Sequence, residues 1–160
     1  MTRLRLLLAF LAVALLPAPG LARQSTSLDG EWECAYGDPK APPAAEASWE
    51  PIQVPSVRQW RPTGPHALWY RRLFHVPPSW AARRIFVTLD GVKYKQRLLV
   101  NGKEAGQHVG GFEATEYDIT GQVIPGGANE LLVAVEDWTA LIGQGAKVGT
   151  ADPFREFGSW

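Results

Sequence analysis

Glu113, Glu116 and Asp118 crowd one short stretch of this 160-residue chain. Two carboxyls can share acid and base work on a bond held between them, provided they stand about 5–5.5 Å apart. Residue spacing leaves that distance open. Three histidines, His66, His75 and His108, are scattered without the close repeats that tetrahedral metal sites use, so neither a metal nor a cofactor is expected. Cys34 is the sole cysteine and has no partner for an internal disulfide. Its place in Trp32-x-Cys34-x-Tyr36 reads as a small buried side chain. The alternative, a reactive thiol, lacks a histidine close by in sequence. Arg71-Arg72 offers a guanidinium fork for a carboxylate; a buried ion pair on a central strand is the plainer expectation.

The elements that must position these groups are short strands. Glu31–Tyr36 alternates Trp32, Cys34 and Tyr36 against Glu31, Glu33 and Ala35, the period of a half-buried strand. Residues 37–47 form a loop whose three prolines deny backbone donors. Trp49–Val54 is extended. Leu68–Val76 carries large apolar groups on both sides, as a central strand does. Residues 79–82 suit one helical turn. Ile85–Leu89 has central-strand composition. Lys95–Val100 and Lys103–His108 flank Asn101-Gly102, a dipeptide suited to a two-residue turn needing positive φ twice. Gly110-Gly111 allows a sharp bend or a close approach. Thr115–Asp118 and Asn129–Glu136 complete about eight strands, and residues 141–159 read as a long loop. With no convincing helix, this spacing predicts an all-β antiparallel sandwich or jelly roll.

Composition agrees with one globular domain: 46% of residues are apolar and 20% charged. The 16 basic and 16 acidic residues cancel, and no basic run extends beyond Arg71-Arg72 and Arg83-Arg84. Nucleic acid is therefore excluded as a partner. Residues 1–22 have the form of a signal peptide: Arg3 and Arg5, an apolar run over Leu6–Leu16, then Gly20-x-Ala22. The apolar run falls short of the roughly 20 residues that span a bilayer. Cleavage after Ala22 predicts an exported chain, periplasmic or extracellular, with no membrane association after processing.

Six elements in register carry a family likeness. They are Trp69-Tyr70-Arg71-Arg72-x-Phe74-x-Val76-Pro77, Leu89-Asp90-Gly91-Val92, Val100-Asn101-Gly102-Lys103, Gly106-x-His108-x-Gly110-Gly111-Phe112, Tyr117-Asp118-Ile119-Thr120 and Gly127-x-Asn129-x-Leu131-x-Val133-x-Val135. Together, with Leu28-Asp29-Gly30-x-Trp32 ahead of them, they resemble the N-terminal sugar-binding domain of glycoside hydrolase family 2, which includes β-galactosidases, β-glucuronidases and β-mannosidases.

The resemblance implies a galactose-binding-like jelly roll over residues 23–160, lacking its last strand. It implies partners in the same longer chain: an immunoglobulin-like sandwich, then a barrel bearing the two catalytic glutamates. No catalytic residue is then expected here, and Asp118 becomes an Asx-type turn residue binding local N–H groups. Asn101 is read first as a turn residue, with a sugar contact as the sharper alternative.

Carbohydrate is the expected ligand. Trp60 and Trp138, which flank loops, are candidates for stacking on a pyranose. Asp137 and Asp152 are candidates for lining a subsite. Trp69, within a strand, is expected in the core. Two further readings stay open: a stand-alone carbohydrate-binding module, and the accessory domain of a carbohydrate esterase.

Overall fold

In the computed structural model the described residues are 23–56 and 67–136. They form eight strands: β1 (Gly30–Gly37), β2 (Glu50–Val54), β3 (Ala67–His75), β4 (Phe86–Asp90), β5 (Tyr94–Val100), β6 (Lys103–Gly110), β7 (Ala114–Asp118) and β8 (Ala128–Glu136), with a single 3-10 turn at Pro78–Trp80. Six make one sheet in the order β2-β1-β3-β8-β5-β6, and β4-β7 make a second. Every pairing is antiparallel. This is the all-β antiparallel sandwich expected from the sequence, strand for strand.

Strand chemistry explains the placement. Pro51 cannot donate to a ladder and sits in β2, an edge strand paired only with β1 among the described residues. β3 lies between β1 and β8, so its two-sided apolar content does mark a central strand. Ile85–Leu89 departs from its expectation: β4 pairs with β7 alone among the described residues. Its β-branched residues report a buried face, filled by Ile85 and Val87, and not a place in the middle of a ladder. Asn101 and Gly102 have φ of 49° and 76°, the double positive that the β5–β6 turn requires. Just beyond it the register shifts, Leu98 facing Gly106 and Leu99 facing Glu104, which leaves Ala105 as a bulge residue.

The main core lies between the sheets: Trp32, Val76, Ile85, Val87, Leu98, Val100, Tyr117, Ile119, Leu131 and Val133. A second cluster, Ala67, Trp69, Leu99, Leu132 and Ala134, occupies the opposite face of the large sheet, with Trp49 packed on it. The loop between β1 and β2 is tied onto this face. Trp69 Nε1 donates to Asp38 O at 2.9 Å, Arg97 Nη1 to Lys40 O at 2.8 Å, and Trp49 Nε1 to Ala44 O at 3.2 Å. That cover explains why Ala35 is buried although its neighbour Cys34 faces the other way. Tyr36 breaks the expected alternation and is 44% exposed. Cys34 is buried as anticipated.

Candidate functional site

The three clustered carboxylates stand on or beside β7, and each is held separately. Glu116 pairs with Arg23. Asp118 Oδ2 accepts from Arg84 Nη2 at 2.7 Å, while its Oδ1 accepts from the Thr120 hydroxyl at 2.6 Å and the Thr120 N–H at 3.0 Å. This is the Asx-type turn anticipated from the sequence. The same bonds, the Thr120 hydroxyl first, hold the Asp118 pKa down at about 2.

Glu113 is tied into its own loop. Its Oε2 accepts the Phe112 N–H at 3.0 Å and the Gly111 N–H at 3.3 Å, and Oε1 meets His108 Nε2 at 2.7 Å. The Phe112 N–H, followed by His108, holds its pKa at about 2. A general acid must keep its proton near neutral pH, which requires a raised pKa. Glu113 and Asp118 are shifted the opposite way, so neither suits the acid role in hydrolysis.

The loop around Glu113 depends on its glycines. A Cβ at Gly110 would run into the Glu113 carboxylate and the His108 ring, so this is a close approach and not only a bend. At the loop's tip Phe112 is 85% exposed. Lys93 Nζ stands 5.6 Å from the centre of its ring. Nothing in the sequence distinguished Phe112 from the other aromatics except its place after two glycines.

Asn101 has both amide donors committed and its oxygen engaged, so it serves first as a turn residue. Its Nδ2 donates to Gln122 O at 2.8 Å and Asn129 Oδ1 at 2.9 Å, and its Oδ1 accepts the Glu130 N–H at 2.9 Å. Arg71 does form an ion pair, with Glu33 Oε2 at 2.9 Å, and lies 4.2 Å over the Trp49 ring. The pair is half-exposed where a buried one was expected, because Glu33 is on the outer face of the sheet. Arg72 donates to the Glu31 carbonyl, and its buried Nε has no partner among the described residues. Trp69 is fully buried, as anticipated.

Among the described residues no group of three His, Cys, Asp or Glu side chains gathers to hold a metal, and no helix is long and apolar enough to cross a membrane. A cavity lined by Cys34, Ala35, Tyr36, Ser48, Glu50 and Leu68 measures about 30 Å³, room for about one water and not for a sugar. The candidates Trp60, Asp137, Trp138 and Asp152 lie outside the described residues, as do His66, the stretch 141–159 and the N-terminal segment 1–22.

Residues 47–159 match the family described as glycosyl hydrolases family 2, sugar binding domain. The chain belongs to that family. It is similar to a β-galactosidase of Arthrobacter sp. (strain B7), 38% identical over 93 residues, covering 56% of this chain and 9% of that protein. A β-glucuronidase of Paenibacillus borealis is 34% identical over 77 residues, covering 46% of this chain and 13% of that protein. The chain therefore spans only a small part of the curated relatives it matches. Among solved structures, the β-glucuronidase from Ruminococcus gnavus in complex with C6-substituted uronic isofagomine superposes with a TM-score of 0.62 at 24% identity, covering 77% of this chain and 23% of that one. At that identity the likeness concerns the fold, which is the jelly-roll sandwich anticipated from the sequence.

Proposed function

We propose that this chain is the N-terminal, non-catalytic carbohydrate-binding and scaffold domain of an exported family 2 glycoside hydrolase. In this reading, hydrolysis of O-glycosidic bonds is done by a barrel in the longer protein, and the jelly roll packs beside it. One observation supports the non-catalytic assignment above the others. The only carboxylate cluster suggested by the sequence consists of anions committed one by one to Arg23, Arg84, Thr120 and His108. Glu113 and Asp118, both held down at about 2, have no proton to give at neutral pH.

The test is hydrolysis of aryl β-galactosides and β-glucuronides by the 160-residue chain. The expected result is no turnover above a heat-treated control, and measurable turnover would overturn the non-catalytic assignment. Export is tested by expressing the chain with its leader in a bacterial host. The expected outcome is periplasmic or secreted protein with Arg23 as its first residue; unprocessed cytoplasmic protein would contradict it.

A further inference from the structure

The β6–β7 loop holds its polar groups inward and turns its one large side chain out. Glu113 uses both carboxylate oxygens on His108 and on the Gly111 and Phe112 N–H groups, which fixes the backbone under Phe112. The ring itself stays 85% exposed. A single exposed aromatic is unremarkable on its own; one carried on a clamped loop with a cation held against it is a different arrangement. The Lys93 stem packs beside Gly111, where an added Cβ would stand 3.2 Å from Lys93 Cγ. Its ammonium lies 5.6 Å from the ring centre, and Lys93 has no carboxylate partner among the described residues.

We propose that Phe112 and Lys93 form a stacking platform for one pyranose ring of a saccharide. The C–H face of the sugar takes the place the Lys93 ammonium holds over the Phe112 ring. The flexible lysine swings to the sugar's edge, where a hydroxyl or carboxylate oxygen accepts from it. The rigid loop lowers the ordering cost that a mobile aromatic would carry. A docking face for another domain fits less well. Interfaces between domains of one chain cover roughly 600–1,500 Å², whereas an aromatic side chain supplies about 150–250 Å². Val109, half exposed on β6, does not close that gap. The proposal deepens the carbohydrate-binding half of the function above and rests on it.

Affinity electrophoresis of the 160-residue chain tests it, in native gels containing either neutral β-galactan or glucuronate-bearing xylan. The wild type is expected to be retarded in at least one gel. Phe112→Ala should weaken the retardation about tenfold or more, and Phe112→Trp should preserve it. Lys93→Ala should weaken it too, and added salt should abolish the Lys93 contribution only in the xylan gel if the contact is to a carboxylate. Because both side chains lie at the surface of a loop, the thermal melts of all variants should match the wild type, which separates lost binding from lost folding. Equal retardation of wild type and Phe112→Ala would overturn the platform while leaving carbohydrate binding in place. No retardation of the wild type in either gel would overturn the platform together with the carbohydrate-binding half of the proposed function, leaving the non-catalytic assignment to the hydrolysis assay.

Discussion

The Asn101 amide, in the β5–β6 turn, donates to Asn129 Oδ1 at 2.9 Å, at the start of β8. Asn129 is fully buried and spends its whole carboxamide: Oδ1 also accepts the Ile124 N–H at 2.7 Å, and Nδ2 donates to Ile124 O and Gly127 O at 3.2 Å each. One buried side chain thus joins a turn, a loop and a strand. Asn129→Ala should lower unfolding free energy by about 2–4 kcal/mol, because it strands several backbone groups at once. Asn101→Gly keeps the positive φ and should cost less. Urea midpoints at unchanged slope check both, and a midpoint for Asn129→Ala equal to wild type would show the network to be dispensable.

Tyr117 carries the opposite kind of polar atom. Its ring packs against Gly106, and its buried hydroxyl has no hydrogen-bond partner among the described residues; burial also pushes its pKa up. An unpaired buried hydroxyl costs stability. Tyr117→Phe is therefore expected to leave the protein unchanged or more stable by up to about 1 kcal/mol. A clear loss in a thermal melt would reveal a partner for that oxygen.

Gly106 and Gly121 make a matched test of space. A Cβ on Gly106 would stand 2.8 Å from Tyr117 Cδ1, and one on Gly121 would meet nothing within 4 Å. Gly106→Ala should cost about 1–3 kcal/mol by overpacking. Gly121→Ala should be neutral or stabilising by a few tenths of a kcal/mol through the unfolded chain. Parallel denaturation curves decide it, and equal behaviour of the two variants would contradict the Tyr117 contact.

Acid should weaken the fold through two carboxylates. Glu113 falls from an ordinary 4.5 to about 2, and Asp118 from 3.8 to about 2. Both pKa values are depressed by folding, so their stabilisation is complete above the unfolded values and lost as pH falls toward 2. Side-chain carboxyl titration by NMR should give midpoints near 2 for both. Glu113→Gln and Asp118→Asn should each flatten the fall in stability between about pH 4.5 and pH 2; an unchanged slope in the double variant would remove these groups as its cause.

Strand positions were legible because alternation and turn residues act locally. Asn101-Gly102 specified a turn without help from distant residues. Sheet order was not legible, because β8 reaches its place between β3 and β5 through packing that no window of sequence contains. The same limit hid the burial of Ala35, which depends on a loop folding back over the sheet, and the depth of the Asn129 network. Asp118 could be assigned its turn because Thr120 is two residues away. Phe112 and Lys93 meet only after β5 and β6 have paired, so their proximity leaves no mark on the sequence.

The sheet order has a consequence for synthesis. β2-β1-β3 and β5-β6 are each built from neighbouring stretches, yet among the described residues no ladder connects these two halves except β8. A ribosome delivers β8 after all the others. Until it emerges, β3 and β5 each present an unpaired edge, and the central seam of the molecule cannot close. Folding of this sheet is therefore a late event dominated by long-range contacts, slow by its topology, and the nascent halves are the species most exposed to aberrant pairing with other chains.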